Sequence, residues 1–155
     1  MTRSLSGADV VVNGGKELDS ALQMELARTT ETFGFARLTW NGETVALRTS
    51  PMQRFGRVLV APPPGAFLQA TAEGEAALLQ SVALAIGSAR KITDLFAGVG
   101  TFALPLAERA EVHAVEGEAA MTAALTKGAN TNEGLKRITV ETRDLFRRPL
   151  EPDEF

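Results

Sequence analysis

Cysteine is absent from this sequence of 155 residues, and histidine occurs once, as His113. Without cysteine the chain can form no disulfide, no thiolate metal site and no cysteine-ligated iron–sulfur cluster. With no cysteine and a single histidine, placed inside a predicted strand, we expect neither a nucleophilic triad nor a zinc site here. We therefore expect no metal site, and we interpret His113 as a structural or surface residue of a predicted strand rather than a catalytic one.

Long apolar runs and an excess of positive charge are also missing. No stretch approaches the length of a membrane-spanning helix, and the first residues do not resemble a signal peptide, so a cytoplasmic protein is the default expectation. The net charge of −3 is unlike that of an autonomous RNA-binding domain. Basic residues instead occur in scattered pairs, which we interpret as solvated surface: Arg54 with Arg57, Arg90 with Lys91, Lys136 with Arg137, and Arg147 with Arg148.

The first 66 residues predict a small α+β subdomain, an antiparallel sheet with one helix. Its expected elements are, in chain order, a strand at 9–12, a helix over 17–30 that stops at Gly34, strands at 35–40 and 43–48, and a strand at 57–60. Asn41 and Gly42 separate the two middle strands, and this dipeptide favours a two-residue type I′ turn. Trp40 precedes that turn, and we interpret it as a packing residue rather than a platform for a nucleic-acid base.

Three consecutive prolines at 62–64 interrupt the chain, because proline can continue neither a strand ladder nor a helix. We place a domain boundary here, between residues 1–66 and 67–155. The second part alternates between the two element types: a helix from Thr71 to near Gly87, a strand at 92–96, a helix over 101–109, a strand at 112–116, a helix over 118–128 and a strand at 138–142. This alternation predicts an α/β fold with a parallel sheet and right-handed crossovers.

The turn after the strand at 92–96 is typical of a nucleotide cofactor site. Asp94 lies at the end of the strand, and Gly98 and Gly100 follow before the next predicted helix. Because glycine has no Cβ, the backbone can turn sharply here and a ligand can approach it closely. The spacing Gly98-x-Gly100-x-x-Ala103 loosely fits the dinucleotide fingerprint. The same glycines could also form no more than a tight turn of any doubly wound fold.

Two acids indicate which cofactor to prefer. Glu116 ends the next strand, 18 residues after Gly98, where a carboxylate can accept hydrogen bonds from two ribose hydroxyls. Both a dinucleotide and S-adenosylmethionine contain a ribose, so Glu116 does not separate them. Asp94 would repel a pyrophosphate but suits the ammonium and sulfonium of S-adenosylmethionine, which we therefore expect as the cofactor.

Motifs along the second part resemble those of the RNA 5-methyluridine methyltransferase family. They are FLQ at 67–69, DLFAGVGTFALPLA at 94–107, AVEG at 114–117, NTNEGL at 130–135 and RDL at 143–145. That family includes the 23S ribosomal RNA (uracil-5-)-methyltransferases and the tRNA (uracil-5-)-methyltransferase. The resemblance covers residues 67–145 strongly and the earlier residues weakly. It implies the first half of a Rossmann-like S-adenosylmethionine methyltransferase fold, preceded by the small α+β subdomain.

The resemblance also implies roles for individual side chains. Gln69 would contact the amino acid end of the cofactor, and Phe96 and Thr101 would line it. Asp144 would lie near the adenine amino group. The alternatives are that Phe96 is plain core, that Thr101 only caps a helix, and that Asp144 is a surface acid that starts a turn.

The chemistry implied by the resemblance needs residues that this chain does not contain. A cysteine thiolate adds to uracil C6 and a general base later removes the C5 proton, and in the family both follow a DPPR-type motif downstream. We therefore expect a fragment with no catalytic residue of its own, from a protein that methylates uracil C5 in RNA, with ribosomal RNA preferred to tRNA as the substrate. The alternative is a noncatalytic nucleotide- or RNA-binding module. The strand at 92–96 would be left as a sheet edge through which the fragment could self-associate.

Overall fold

A computed structural model gives the structure of residues 1–154, with only the backbone of Pro152 described. The chain divides into two compact units. The first comprises Met1–Arg54 and Ala61–Gly65, and the second comprises Phe55–Val60 and the residues from Ala66 onward.

The first unit contains a four-stranded sheet and one helix. The strands are β1 (Thr2–Ser4), β2 (Gly7–Val12), β3 (Arg37–Trp40) and β4 (Glu43–Leu47), in the order β1-β2-β3-β4, and helix α1 (Ser20–Phe33) lies between β2 and β3 in sequence. β1 pairs antiparallel to β2, and β3 pairs antiparallel to β4, but β2 and β3 are parallel. The predicted antiparallel hairpin and helix are therefore present, but the sheet around them is mixed rather than antiparallel throughout. The helix between β2 and β3 returns the chain so that both strands run in the same direction.

Local signals set the ends of α1 and the turn after β3. Asp19 is the N-cap, and its Oδ1 accepts the N–H of Leu22 at 2.7 Å, so the helix begins three residues later than the predicted residue 17. Gly34 ends it with a left-handed φ of 66°, as predicted. Asn41 and Gly42 both have positive φ, 49° and 88°, which confirms the type I′ turn.

The second unit contains a parallel sheet with helices. Its elements are β6 (Val58–Val60), α2 (Ala72–Ile86), β7 (Lys91–Leu95), α3 (Ala103–Leu106), β8 (Glu111–Glu116), α4 (Ala119–Asn130), β9 (Ile138–Thr142) and a 3₁₀ turn (Pro152–Glu154); β5 (Gln53–Phe55) pairs with β6. β7, β8 and β9 are parallel neighbours in that order, which confirms the predicted parallel sheet. β7 lies at one edge of this described sheet. No helix within residues 1–154 has both the length and the apolar character needed to cross a bilayer.

The core of the second unit joins the sheet to the helices and to β6. Its fully buried members include Val58, Val99, Leu104, Ala114 and Leu125. The strand predicted at 57–60 for the small subdomain therefore packs in the second unit instead. An ideal Cβ on Gly128 would lie only 2.7 Å from Cγ2 of Val60, so α4 approaches β6 closely because Gly128 has no side chain.

Helix α3 is much shorter than the predicted 101–109. It spans four residues, Ala103–Leu106, and the following residues form turns. Proline has no N–H, so Pro105 cannot extend the i to i−4 ladder back to Thr101. Helix α2 fits its prediction better. Its N-cap Thr71 accepts the N–H of Gly74 at 3.0 Å, and Gly87 ends it.

Candidate functional site

The parallel register brings three of the predicted site positions to one edge of the sheet. Asp94 pairs with Ala114, and Glu116 pairs with Thr142. Parallel strands present their carboxyl ends at the same edge, which is where open α/β sheets bind ligands. Phe96, Glu116 and Asp144 each end, or follow closely after, one of the strands β7, β8 and β9.

Glu116 ties its strand end to the glycine turn. Its Oε2 accepts the N–H of Gly98 at 2.9 Å, and its Oε1 accepts the N–H of Glu118 at 3.0 Å. The N–H of Ala97 also bonds the carbonyl of Val115 at 3.0 Å. An ionised carboxylate has about four acceptor positions, so Glu116 keeps capacity for further donors after both backbone bonds.

Asp94 is half-buried and incompletely paired. Its Oδ2 is buried without a hydrogen-bond partner among the described residues. Burial raises the pKa of Asp94 to about 6, the backbone N–H of Ala103 opposes this rise, and the charge of Glu116 adds to it. A buried carboxylate oxygen with no donor is costly. This orphaned oxygen is therefore the atom of the site that most clearly needs a cationic or hydrogen-bond-donating ligand.

The two glycines of the turn have different constraints. Gly98 has φ +57°, and an ideal Cβ there would have Met121 Sδ as its nearest neighbour, at 4.0 Å. Gly100 has φ +94°, and its ideal Cβ would lie 2.8 Å from Cγ of Leu104 and 3.0 Å from Cγ of Leu125. Gly98 thus borders open space that a ligand can enter, whereas Gly100 allows the turn to pack on the core.

Phe96 and Thr101 lie on either side of these glycines. Phe96 adopts a left-handed φ of 60°, which costs a residue with a side chain about 1 kcal/mol or more. The residue is 56% exposed, so the alternative that Phe96 is plain core is wrong. Thr101 is half-buried in the turn before α3. The helix N-cap is Phe102, without a side-chain bond, so Thr101 is not the cap.

Asp144 and Gln69 occupy less regular surroundings. Asp144 is exposed, and its Oδ1 accepts the N–H groups of Phe146 at 3.0 Å and Arg147 at 3.3 Å. It therefore does start a turn, and this turn follows the strand expected to lie near adenine. Gln69 is half-buried in the irregular segment between β6 and α2. The structure does not join Gln69 by a hydrogen bond to any other predicted site residue among those described.

Phe146 lies beside the predicted site residue Phe96, but the sequence analysis did not identify it, because no motif includes it. Its ring centroid lies 5.3 Å from that of Phe96, and its side chain is 89% exposed. The available signal was a bulky apolar residue two positions after a strand-end acid. That pattern alone could not show that the ring would meet Phe96.

His113 and Trp40 have structural contacts, as expected. His113 Nδ1 lies 2.8 Å from Thr139 Oγ1, and Nε2 lies 3.3 Å from Oε2 of Glu141, within the sheet rather than at its carboxyl edge. Trp40 packs its indole against Gly15 and donates Nε1–H to the carbonyl of Lys16 at 2.9 Å. Neither side chain has surroundings that indicate catalysis or base stacking.

Comparison with known sequences shows similarity to bacterial RNA methyltransferases. The chain is 46% identical over 153 residues to an uncharacterized RNA methyltransferase of Brucella suis, covering 99% of this chain and 37% of that protein. A second such protein, from Mesorhizobium japonicum, is 48% identical over 145 residues, covering 94% and 35%. The 23S rRNA (uracil(1939)-C(5))-methyltransferase RlmD of Dichelobacter nodosus is 38% identical over 86 residues, covering 54% and 20%. The chain thus spans little more than a third of the Brucella suis and Mesorhizobium japonicum proteins and a fifth of the Dichelobacter nodosus protein. No protein-family model matches it.

Comparison with solved structures shows the fold. The tRNA (uracil-54, C5)-methyltransferase of Pyrococcus abyssi, crystallised with S-adenosyl-L-homocysteine, matches with a TM-score of 0.60 at 20% identity, over 84% of this chain and 33% of that chain. TYW2 of P. horikoshii, crystallised with MeSAdo, matches with a TM-score of 0.60 at 19% identity, over 96% and 58%. These matches confirm the predicted α/β methyltransferase fold.

Proposed function

The chain is a homologue of the bacterial RNA methyltransferases, and on that premise we propose that its second unit binds S-adenosylmethionine for the methylation of RNA. The observation that carries this proposal is the orphaned, buried Oδ2 of Asp94 beside the bond between Gly98 and Glu116. The relatives are named RNA methyltransferases. A solved methyltransferase of the same fold contains S-adenosyl-L-homocysteine, and TYW2, which shares the fold, contains MeSAdo, which supports the same class of cofactor here.

The residues present fit such a cofactor. Asp94 offers a carboxylate oxygen to the ammonium group, where an opposite charge would offset the cost of its burial. Glu116 has acceptor capacity left for two ribose hydroxyls. Gly98 leaves room for close approach along the turn. Gln69, Phe96, Thr101 and Asp144 complete the proposed set, and Gly100 supports it from the core.

We further propose uracil C5 as the methylated position, and ribosomal RNA as the substrate in preference to tRNA. The bound cofactor supplies an electrophilic methyl group. The support for uracil is the motif resemblance together with the uracil-C5 activity named for the Dichelobacter nodosus relative. The thiolate that this chemistry needs cannot come from the residues of this chain, which contains no cysteine. The role of this chain is then to bind and orient the methyl donor.

Calorimetric titration with S-adenosyl-L-homocysteine tests the cofactor proposal. The protein should bind it, and Glu116→Gln should weaken binding by about 1–2 kcal/mol because a charge-assisted hydrogen bond is degraded. Glu108→Gln is a matched control, since Glu108 also accepts a backbone N–H, that of Arg57 at 3.0 Å, but lies outside the proposed site. Binding of a nicotinamide dinucleotide, with none of S-adenosyl-L-homocysteine, would contradict the proposal.

Nucleoside mass spectrometry on a strain lacking the gene tests the substrate. We expect 5-methyluridine to disappear from 23S rRNA. Its loss from tRNA alone would contradict the preference for ribosomal RNA. If no RNA loses 5-methyluridine, the result would instead favour a noncatalytic nucleotide- or RNA-binding module.

A further inference from the structure

Two basic pairs that are far apart in the sequence meet at the amino edge of the β7–β8–β9 sheet. The N–H of Glu111 donates to the carbonyl of Arg90 at 2.9 Å, and the N–H of Val112 donates to the carbonyl of Arg137 at 3.0 Å. The starts of the three strands therefore lie side by side. This arrangement collects four exposed cations along one edge, here called the basic edge: Arg90, Lys91, Lys136 and Arg137.

Within residues 1–154, the four cations of the basic edge form no ion pair and no side-chain hydrogen bond. Two other arginines of the same unit do have partners. Arg109 donates to the carbonyl of Ala83 at 3.1 Å, and Arg57 pairs with Glu108 at 3.2 Å. The chain as a whole has a net charge of −3, so the basic edge is a local positive field on a negative protein, of a kind that attracts an external anion.

One face of the sheet is polar next to the basic edge. Val112 packs in the buried core together with its register neighbours Ile92 and Ile138. Successive residues of a strand point to opposite faces, so the next row of register partners, Thr93, His113 and Thr139, lies on the other face. Parallel sheets are usually apolar on both faces because helices cover both. A polar partner fits this face better than an apolar helix does.

An open groove of about 630 Å³ follows the polar face up to the basic edge, and we call it the outer groove. Its lining includes two cations, Lys91 and Arg137, and two hydroxyl groups, those of Thr93 and Thr139. Lysine, arginine and threonine side chains are the donors that proteins use to contact nucleic-acid phosphates.

Acids do not cancel the positive charge of the outer groove. Two acids line it, Glu111 and Glu154. Glu154 is already neutralised, because Nη1 of Arg143 donates to its Oε2 at 3.0 Å. Glu111 is therefore the one lining carboxylate, among the described residues, that opposes the four cations of the basic edge.

We propose that the basic edge and the outer groove bind the phosphate backbone of the RNA substrate. This inference rests on the function proposed above, which supplies RNA as the class of substrate. Contacts to phosphates position a nucleic acid without reading its sequence. β8 is six residues long, so about 20 Å of strand separates the basic edge from the carboxyl edge that carries Glu116. A folded RNA can span this distance, and the surface then orients the RNA relative to the methyl donor.

Fluorescence anisotropy with a labelled RNA stem–loop tests this surface. The wild-type protein should bind the RNA with an affinity that falls as salt rises. The double variant Lys91→Gln/Arg137→Gln should bind about 5–20-fold more weakly. Its slope of log affinity against log salt should be shallower by roughly 1.5–2, because two phosphate contacts are lost.

The matched control is Arg28→Gln/Lys127→Gln, which makes the same change in charge at two exposed residues of α1 and α4. It should keep RNA affinity within about twofold of the wild type and leave the salt slope unchanged. Urea denaturation should give the same midpoint for both double variants as for the wild type, since all four side chains are exposed.

Three results would overturn this surface: no RNA binding by the wild type, an unchanged affinity and salt slope in Lys91→Gln/Arg137→Gln, or an equal loss in the control variant. Failure of the proposed function has a different signature, because calorimetry would then detect no binding of S-adenosyl-L-homocysteine by the wild type. If the wild type binds S-adenosyl-L-homocysteine, the Lys91→Gln/Arg137→Gln variant should bind it equally well, since both substitutions lie at the opposite edge of the sheet. A matching loss of cofactor affinity would contradict a separate RNA surface.

Discussion

The carboxyl group of Asp94 makes the folded state sensitive to pH. Burial raises its pKa to about 6 from an ordinary value of 3.8, with a further contribution from Glu116. The folded state thus binds this proton more tightly than the unfolded state does. The stability contribution is therefore most favourable below about pH 4, falls as the pH rises towards 6, and stays low above 6.

Replacing this carboxyl group with an amide should stabilise the empty protein at neutral pH. We expect Asp94→Asn to raise the free energy of unfolding by about 1–3 kcal/mol at pH 7.5, because the cost of a buried charge disappears. The gain should shrink towards zero at pH 4. Urea denaturation at both pH values measures it.

A charge-removal control belongs with this variant. Glu111→Gln removes a carboxylate at an exposed position of β8 and should give no comparable pH-dependent gain. A loss of stability in Asp94→Asn at both pH values would contradict the interpretation.

The Asp94→Asn variant should also bind S-adenosyl-L-homocysteine more weakly than the wild type, because the ammonium group loses its proposed charge partner. Stability and affinity would then change in opposite directions, as expected where a group serves ligand binding at the expense of the fold.

The turn between β7 and α3 should respond differently at its two glycines. Gly100→Ala should destabilise the protein by about 2–4 kcal/mol, since its Cβ would overlap with Leu104 and Leu125, which are fully buried. Gly98→Ala should cost only about 1 kcal/mol, because φ +57° is tolerated by residues with a side chain and the nearest atom is 4.0 Å away. Denaturation curves measure the loss of stability in each variant, and calorimetry measures the change in ligand affinity.

Affinity for S-adenosyl-L-homocysteine provides the second half of that comparison. Gly98→Ala should lose affinity out of proportion to its small loss of stability, because the new methyl group occupies space that the ligand would approach. If Gly98→Ala binds normally, Gly98 is no more than part of a tight turn. If both variants are equally unstable, the packing argument for Gly100 is wrong.

Features of the fold that depend on a few neighbouring residues could be predicted from the sequence. Features that depend on contacts between distant elements could not. Gly34 and the pair Asn41–Gly42 specify a helix end and a turn by their own φ preferences, so both were predictable. The parallel pairing of β2 with β3 depends on how α1 crosses the sheet, and the packing of β6 depends on contact with Gly128. Neither the strand pairing nor this packing contact can be predicted from the residues of a short sequence window.

The candidate site shows the same division. Asp94, Glu116 and the glycines could be chosen because strand-end acids and a glycine turn form a pattern. The hydrogen bond from Gly98 to Glu116 joins residues 18 apart, and the contact between Phe96 and Phe146 joins residues still further apart. Both exist only because β7, β8 and β9 end at the same edge of the sheet.

Across the molecule, the ion pairs differ in burial, and this should decide their contribution to stability. In the first unit, Nη2 of Arg37 lies 2.6 Å from Oδ2 of Asp9, and both side chains are only 10% exposed. Arg37→Met should destabilise by about 3–5 kcal/mol, because it leaves a buried carboxylate without its partner. In the second unit, Arg57→Met breaks a more exposed pair with Glu108 and should cost about 1 kcal/mol or less. Urea denaturation of both variants tests this; equal losses would contradict it.

Binding and methyl transfer should separate in this chain. Methylation of uracil C5 by the proposed route requires a thiolate that adds to C6, so that C5 can attack the methyl group, and the chain has no cysteine. We therefore expect the protein to bind S-adenosyl-L-homocysteine yet to transfer no labelled methyl group from S-adenosylmethionine to RNA lacking 5-methyluridine. It should also form no covalent adduct with RNA containing 5-fluorouracil, since that adduct needs the same attack at C6. The Dichelobacter nodosus relative, assayed in parallel, serves as the positive control. Incorporation of label by this chain would show that uracil is activated without a thiolate, or that a different nucleobase atom is the acceptor, and would overturn the proposed chemistry while leaving the cofactor site intact.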